Sequence, residues 1–273
     1  ADARSSGSGR ESDSAEKIGV FEGENYHGVI FGTGVANDIT HVLKNINMSI
    51  QEGEFLSVMG PSGSGKSTLL YNVSGMDKMT AGDVYFKDQK INTLNEEESA
   101  KLRLTNMGFV FQQINLLRNL GIIDNIILPA YMAKTKEQEE INSDAINLMK
   151  KTGIIELADN NITQASGGQL QRAAICRALI NNPNILFGDE PTGALNSKAA
   201  NEVMDIFHKV NREGTTIMMV THDVKIAAQS ERVLCMSDGN IIGEYKLGKY
   251  IKKENTIKDR EKRLSNWLLE KGI

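Results

Sequence analysis

The chain has 273 residues, with 31 Lys+Arg against 35 Asp+Glu and a formal net charge of −4, which argues against binding nucleic acid through bulk charge. At 40% hydrophobic and 24% charged residues it reads as a globular protein with one sizeable core or two small ones, and wholesale disorder is excluded. No apolar run approaches the roughly 20 residues that span a bilayer, no signal-peptide pattern is visible, and two cysteines, Cys176 and Cys235, make neither a disulfide framework nor a metal site, so a reducing cytosol is the expected home.

In chain order, residues 1–20 are rich in Ser, Gly and charge and read as a disordered tail, native or added. Between Val29 and Val58, apolar runs such as Val42-Leu43 to Ile50 and Phe55-Leu56-Ser57-Val58-Met59, bounded by Gly and polar turns, predict a β-rich region. Gly60-Pro61-Ser62-Gly63-Ser64-Gly65-Lys66-Ser67 follows directly and leads into the helix-like Thr68-Leu69-Leu70. This is G-x-x-x-x-G-K-S/T in the strand–loop–helix context the pattern requires. Glycines let backbone N–H groups curl round phosphate oxygens, and the helix that follows adds its dipole. Lys66 would reach the β- and γ-phosphates and Ser67 would ligate Mg²⁺. Nucleotide binding is therefore predicted, whereas hydrolysis needs further groups.

Residues 89–171 turn polar with helical periodicity, as in Glu96–Leu104 and in Lys136–Lys151, where Ile141, Ala145, Leu148 and Met149 recur at helical spacing. A mainly helical block is expected there. Near its end, Ser166-Gly167-Gly168-Gln169 and then Leu170-Gln171-Arg172 open a helix whose first N–H groups and Ser hydroxyl suit a phosphate. Ile185-Leu186-Phe187 and Ile217-Met218-Met219-Val220 are nearly continuous apolar runs with a helical stretch, Ala199–Val210, between them. Such runs are the mark of a βαβ unit whose parallel strands are buried on both faces. The first run ends in Gly188-Asp189-Glu190, which puts two carboxylates where open α/β sheets place ligand-binding groups. Asp189 would hold Mg²⁺ through water, and Glu190 would orient or deprotonate the attacking water. The second run ends in Thr221-His222-Asp223, within reach of a γ-phosphate. In residues 249–273, Ile257, Leu264, Trp267 and Leu268 lie at helical spacing, and Lys252 to Arg263 holds six basic and three acidic residues. An amphipathic helix packed on its own domain is expected, with a membrane surface or partner as the alternative.

These motifs, in this order over residues 24–248, resemble the ATP-binding subunit of an ABC transporter; Ser166-Gly167-Gly168-Gln169 is the most specific of them. The resemblance implies an α/β fold: a P-loop NTPase (RecA-like) core, an antiparallel β subdomain, and a helical signature subdomain at about 89–171. It implies Mg²⁺-dependent ATPase activity, with Glu190, His222 and Gln112 catalytic and with Ser67, Gln112 and Asp189 around the metal. ATP would be cradled by Gly60, Ser62, Gly63, Gly65, Lys66, Ser67 and Thr68 of one copy and by Ser166, Gly167, Gly168 and Gln169 of a second. Phe31 resembles the aromatic that stacks on adenine, usually Tyr in the family, with Tyr26 or another ring as the alternative. The expected partners are a second copy and an integral membrane permease, so the chain would lie on the cytoplasmic face of the cell membrane through that permease. Two departures stand out: Ala165 replaces the usual Leu before the signature serine, and Ala194-Leu195-Asn196 ends in Asn instead of Asp, keeping the shape but losing the charge.

Phe109–Leu117 and Gly188–Leu195 are similar to the subgroup of macrolide exporters, lipoprotein-releasing machines and bacitracin- or lantibiotic-resistance exporters. Antimicrobial-peptide export is thus the expected work. A family ATPase uncoupled from transport is the alternative, although such proteins usually carry two of these domains or a long coiled-coil insertion. A small-molecule kinase would share the phosphate loop without needing the signature stretch or the Asp189-Glu190 pair.

Overall fold

The computed structural model describes residues 26–30, 42–252 and 257–273. Its main sheet has six strands in the order β10-β9-β3-β8-β7-β6. Here β3 is Phe55–Met59, β6 Met107–Phe111, β7 Ile185–Asp189, β8 Thr216–Val220, β9 Arg232–Ser237 and β10 Asn240–Lys246. Neighbours are parallel from β6 through β9, and β10 closes the edge antiparallel to β9. Every residue of β3 and β8 is buried, which accounts for their unbroken apolar sequence. A second, antiparallel sheet has the order β2-β1-β4-β5, with β1 Tyr26–Ile30, β2 Asn47–Gln51, β4 Asp83–Phe86 and β5 Gln89–Lys90.

Helices cover both faces of the main sheet. On one, α1 (Lys66–Val73) brings Leu69 and Leu70 against Leu56 and Val58, together with Met48, Ile50, Val84 and Phe86 of the smaller sheet. On the other, α5 (Gly167–Leu179) and α6 (Ser197–Arg212) bring Ile175, Leu179, Val203 and Phe207 against Phe55, Ile217 and Met219. α6 shows why its sequence is helical: Val203, Ile206, Phe207 and Val210 form one buried stripe, and the Asn196 side chain caps its start by accepting from Ala199 N at 2.9 Å.

The stretch 89–171 is helical in α2 (Glu96–Asn106), α3 (Ile122–Ala133), α4 (Gln138–Thr152) and the start of α5. It also carries a strand of the main sheet that the helical periodicity does not announce. β6 begins at the residue after α2 ends and pairs with β7 along its whole length. Gly108 allows this fit, since a Cβ there would lie 2.5 Å from the Ala178 carbonyl oxygen. The C-terminal helix α8 (Ile257–Glu270) packs on its own domain: Leu264 and Leu268 are buried with Val233 and Cys235 of β9 and with Ala227 of the short α7 (Val224–Ala227).

Candidate nucleotide site

Five parallel strands end at one edge of the main sheet, and the segments that follow four of them, β3, β6, β7 and β8, meet there. The loop after β3 turns with Gly60 at φ 150, where a Cβ would stand 2.1 Å from the Met236 carbonyl oxygen, so no other residue fits. It enters α1 through Gly65 at φ 95, a left-handed N-cap. Lys66, the first residue of α1, is buried, and its Nζ donates to the carbonyls of Gly60 (2.9 Å) and Pro61 (2.8 Å). Burial pushes its pKa down, and Glu190 and Asp189 partly oppose the shift. Inside the same loop the Ser64 hydroxyl is buried with no hydrogen-bond partner among the described residues.

One turn along α1, the geometry reaches β7. Ser67 Oγ donates to Asp189 Oδ1 at 2.9 Å, and Tyr71 Oη donates to Asp189 Oδ2 at 2.7 Å. Burial first, and then the bond to Asp189, raise the Tyr71 phenol from 10.0 to about 12. Sequence reasoning missed Tyr71. The available signal was its i+4 spacing from Ser67, which puts both hydroxyls on one helix face.

Parallel pairing of β7 with β8, Asp189 opposite Val220, sets Glu190 beside the turn that carries His222. Glu190 Oε1 lies 3.0 Å from His222 Nδ1, and Glu190 N donates to the Val220 carbonyl at 3.0 Å. Glu190 holds a left-handed backbone, φ 48. On the other side, β6 pairs Phe111 with Asp189, so Gln112 emerges alongside Glu190. Gln112 Nε2 lies 3.0 Å from where a side chain on Gly193 would begin. The structure therefore brings Gly60–Thr68, Gln112, Asp189, Glu190 and His222 together.

It does not bring the signature stretch to them. Ser166 is the N-cap of α5, with its N–H donating to Gln169 Oε1 (2.9 Å) and its Oγ accepting from Gln169 N (3.4 Å). Among the described residues no hydrogen bond or ion pair joins Ser166–Gln169 to Gly60–Ser67. Gly167 and Ser166 are exposed, while a Cβ on Gly168 would lie 2.9 Å from that of Ala199. Ala165 packs among the apolar residues of the α3–α4–α5 cluster. The buried Gln171 ties α5 to the sheet, its Nε2 donating to the Phe111 carbonyl at 3.0 Å. Phe31 lies outside the described residues, and Tyr26 is defined only as part of the β1 backbone.

The donor set suits a nucleoside triphosphate with its magnesium. A glycine-bent loop, a buried lysine and, among the described residues, a serine hydroxyl without a partner are the groups a phosphate needs, and Ser67 with Asp189 supplies hard oxygen ligands. Among the described residues no group of three His, Cys, Asp or Glu could hold a metal unaided.

Fold and site together define a P-loop nucleoside triphosphatase. A family model described as "ABC transporter" matches residues 43–193, and the chain belongs to that family. It is 44% identical over 217 residues to the uncharacterized ABC transporter ATP-binding protein MJ0796 of Methanocaldococcus jannaschii, covering 78% of this chain and 92% of that protein. It is also 44% identical over 205 residues to the macrolide export ATP-binding/permease protein MacB of Psychrobacter cryohalolentis, covering 75% of this chain but only 31% of MacB. Among solved structures, the dimeric post-hydrolysis state of the MJ0796 cassette bound to ADP and Pi matches with a TM-score of 0.73 and 40% identity, covering 83% of this chain and 99% of that one. The chain is an ATP-binding cassette with ATPase activity.

Proposed function

We propose that this cassette hydrolyses Mg²⁺·ATP as a two-fold pair of copies and drives export through an integral membrane permease, at the cytoplasmic face of the membrane. Pairing is supported by two phosphate-suited surfaces in a chain with one set of hydrolytic groups, and by the dimeric state named for the MJ0796 structures. Export is supported by the likeness to MacB, and antimicrobial peptides are the cargo class we favour. Among the described residues no helix is long and apolar enough to cross a membrane. The likeness to MJ0796, named as an ATP-binding protein and covered to 92%, supports placing the permease on a separate subunit.

In this reading Lys66 exchanges the Gly60 and Pro61 carbonyls for β- and γ-phosphate oxygens, while the backbone of Gly60–Thr68, including Ser62 and Gly63, wraps the phosphates. Ser67, Asp189 and Gln112 would hold Mg²⁺, which when bound neutralises phosphate charge. Glu190 accepts the proton of the attacking water, and His222 holds that carboxylate from the side of the γ-phosphate. Gln112, resting on Gly193, connects the site to the permease contact. Ser166, Gly167, Gly168 and Gln169 of the second copy complete the phosphate cradle. Phe31 is the proposed adenine platform.

The observation that carries the reading is the Glu190–His222 contact at 3.0 Å, one residue from an aspartate bonded to Ser67. Glu190→Gln keeps the shape but accepts no proton, so ATP affinity should persist while turnover falls by about 10² or more. Undiminished hydrolysis by that variant would remove Glu190 from the chemistry.

A further inference from the structure

Arg260, in the first turn of α8, is the largest side chain that the described structure buries completely, at 1% exposure. Among the described residues no carboxylate forms an ion pair with it, although Glu231 lies near enough to favour its charge. Its guanidinium donates to four backbone carbonyls: Nε to Ala228 (2.7 Å), Nη1 to Leu247 (3.0 Å), and Nη2 to Ser230 (2.7 Å) and Gly248 (2.9 Å). It also lies 5.4 Å from the centroid of the Tyr250 ring. Burying a cation with no direct ion pair is costly, and here backbone carbonyls take the place of that pair.

The Ala228 carbonyl is that of the C-cap of α7, where a cation is favourable, and Ser230 lies two residues further on. The other end of α7 is capped by Asp223, whose Oδ1 accepts from Lys225 N (2.7 Å) and Ile226 N (3.4 Å). Asp223 directly follows His222. α7 is thus a rod about 6 Å long, at 1.5 Å per residue, held at one end by His222's neighbour and at the other by Arg260. The His222 side chain is 66% exposed, so its place beside Glu190 comes from the backbone that carries it and not from packing around the ring. The far end of α8 also rests on β10: Gly243 leaves room for Trp267, whose Cζ2 would be 2.8 Å from a Cβ there, and the Tyr245 ring lies 5.3 Å from that of Trp267.

We propose that Arg260 is a positioning residue for hydrolysis: through α7 it fixes His222 against Glu190, making the C-terminal helix a working part of the ATPase site. The proposal rests on the hydrolytic reading of His222 and Glu190 given above. Single-turnover hydrolysis and ATP affinity, measured separately on the full chain, test it in a cycle of Arg260→Met, His222→Ala and the double variant. Arg260→Met should lower the rate about tenfold with ATP affinity within about twofold, and should lower it no further once His222 is gone. Trp267→Ala, which loosens α8 away from α7, should lower the melting temperature and leave the rate intact. Arg260→Lys, which keeps the charge but spans fewer carbonyls, serves if the methionine variant does not fold, and should give the same cycle with a loss of about threefold. The proposal is overturned if the Arg260 variant keeps the full rate, if it costs the same factor with and without His222, or if Trp267→Ala costs as much. A full rate in His222→Ala alone would instead overturn the hydrolytic role of His222, and this inference with it.

Discussion

Tyr71→Phe removes a single hydroxyl from beneath the phosphate loop. In the parent, Asp189 accepts from Tyr71 Oη at 2.7 Å and from Ser67 Oγ at 2.9 Å; the variant keeps only the serine. A hydrogen bond to a charged group contributes about 1.5–3 kcal/mol, and partial exposure of both partners lowers the expectation to about 1–2 kcal/mol. In a chain of this size each kcal/mol shifts the melting temperature by about 2–4 °C, so a fall of about 2–8 °C is expected near neutral pH. Burial and Asp189 raise the Tyr71 phenol from 10.0 to about 12, which means the fold favours the neutral hydroxyl. Its stabilisation is complete below the unfolded value of 10.0 and is lost as pH climbs toward about 12, because the unfolded chain ionises first. The two proteins should therefore converge in stability across that window. Thermal melts followed by circular dichroism at neutral and alkaline pH measure the gap, and phenolate absorbance should show one late-titrating tyrosine that the variant lacks. A variant melting within about 1 °C of the parent at neutral pH, or a gap that stays constant through the window, would refute the reasoning.

Lys66→Ala and Ser166→Arg should each be inactive alone, and mixing them should restore ATPase activity, because one site of the heterodimer then carries neither defect. Absence of rescue, together with an ATP-bound protein that sizes as a monomer, would exclude shared sites. Asn196→Asp keeps an equally good cap on α6 and places a carboxylate at its N-terminus, so stability should change by no more than about 1 kcal/mol. Its effect should appear as a higher Hill coefficient for hydrolysis at unchanged ATP affinity; altered affinity with unchanged cooperativity would contradict it.

The legible parts of this molecule were those in which one physical demand dominates a short stretch. β3 and β8 are buried throughout, so their residues are uniformly apolar, and the loop after β3 must bend so tightly that glycine recurs at fixed places. The carboxylates after β7 and the histidine after β8 were legible because a parallel sheet collects its strand ends at one edge. β6 was not, because it follows α2 with no intervening loop and its fit depends on Gly108 meeting the distant Ala178. Tyr71 reads as an ordinary helix residue until Asp189 is seen opposite it. Arg260 sits in a run of charge that looks solvated, and only the converging carbonyls of residues 228, 230, 247 and 248 give it a buried place.

If Glu190 is the base as proposed, its left-handed backbone, φ 48, sets stability and activity against each other at one position. Glycine would adopt that conformation freely and asparagine nearly so, relieving about 1–2 kcal/mol of strain. On that proposed role, selection for thermal endurance alone would drift toward inert proteins at residue 190, and libraries screened by melting temperature should enrich them. Only a screen that counts phosphate released, or survival that depends on the transporter, holds the glutamate in place against that gradient.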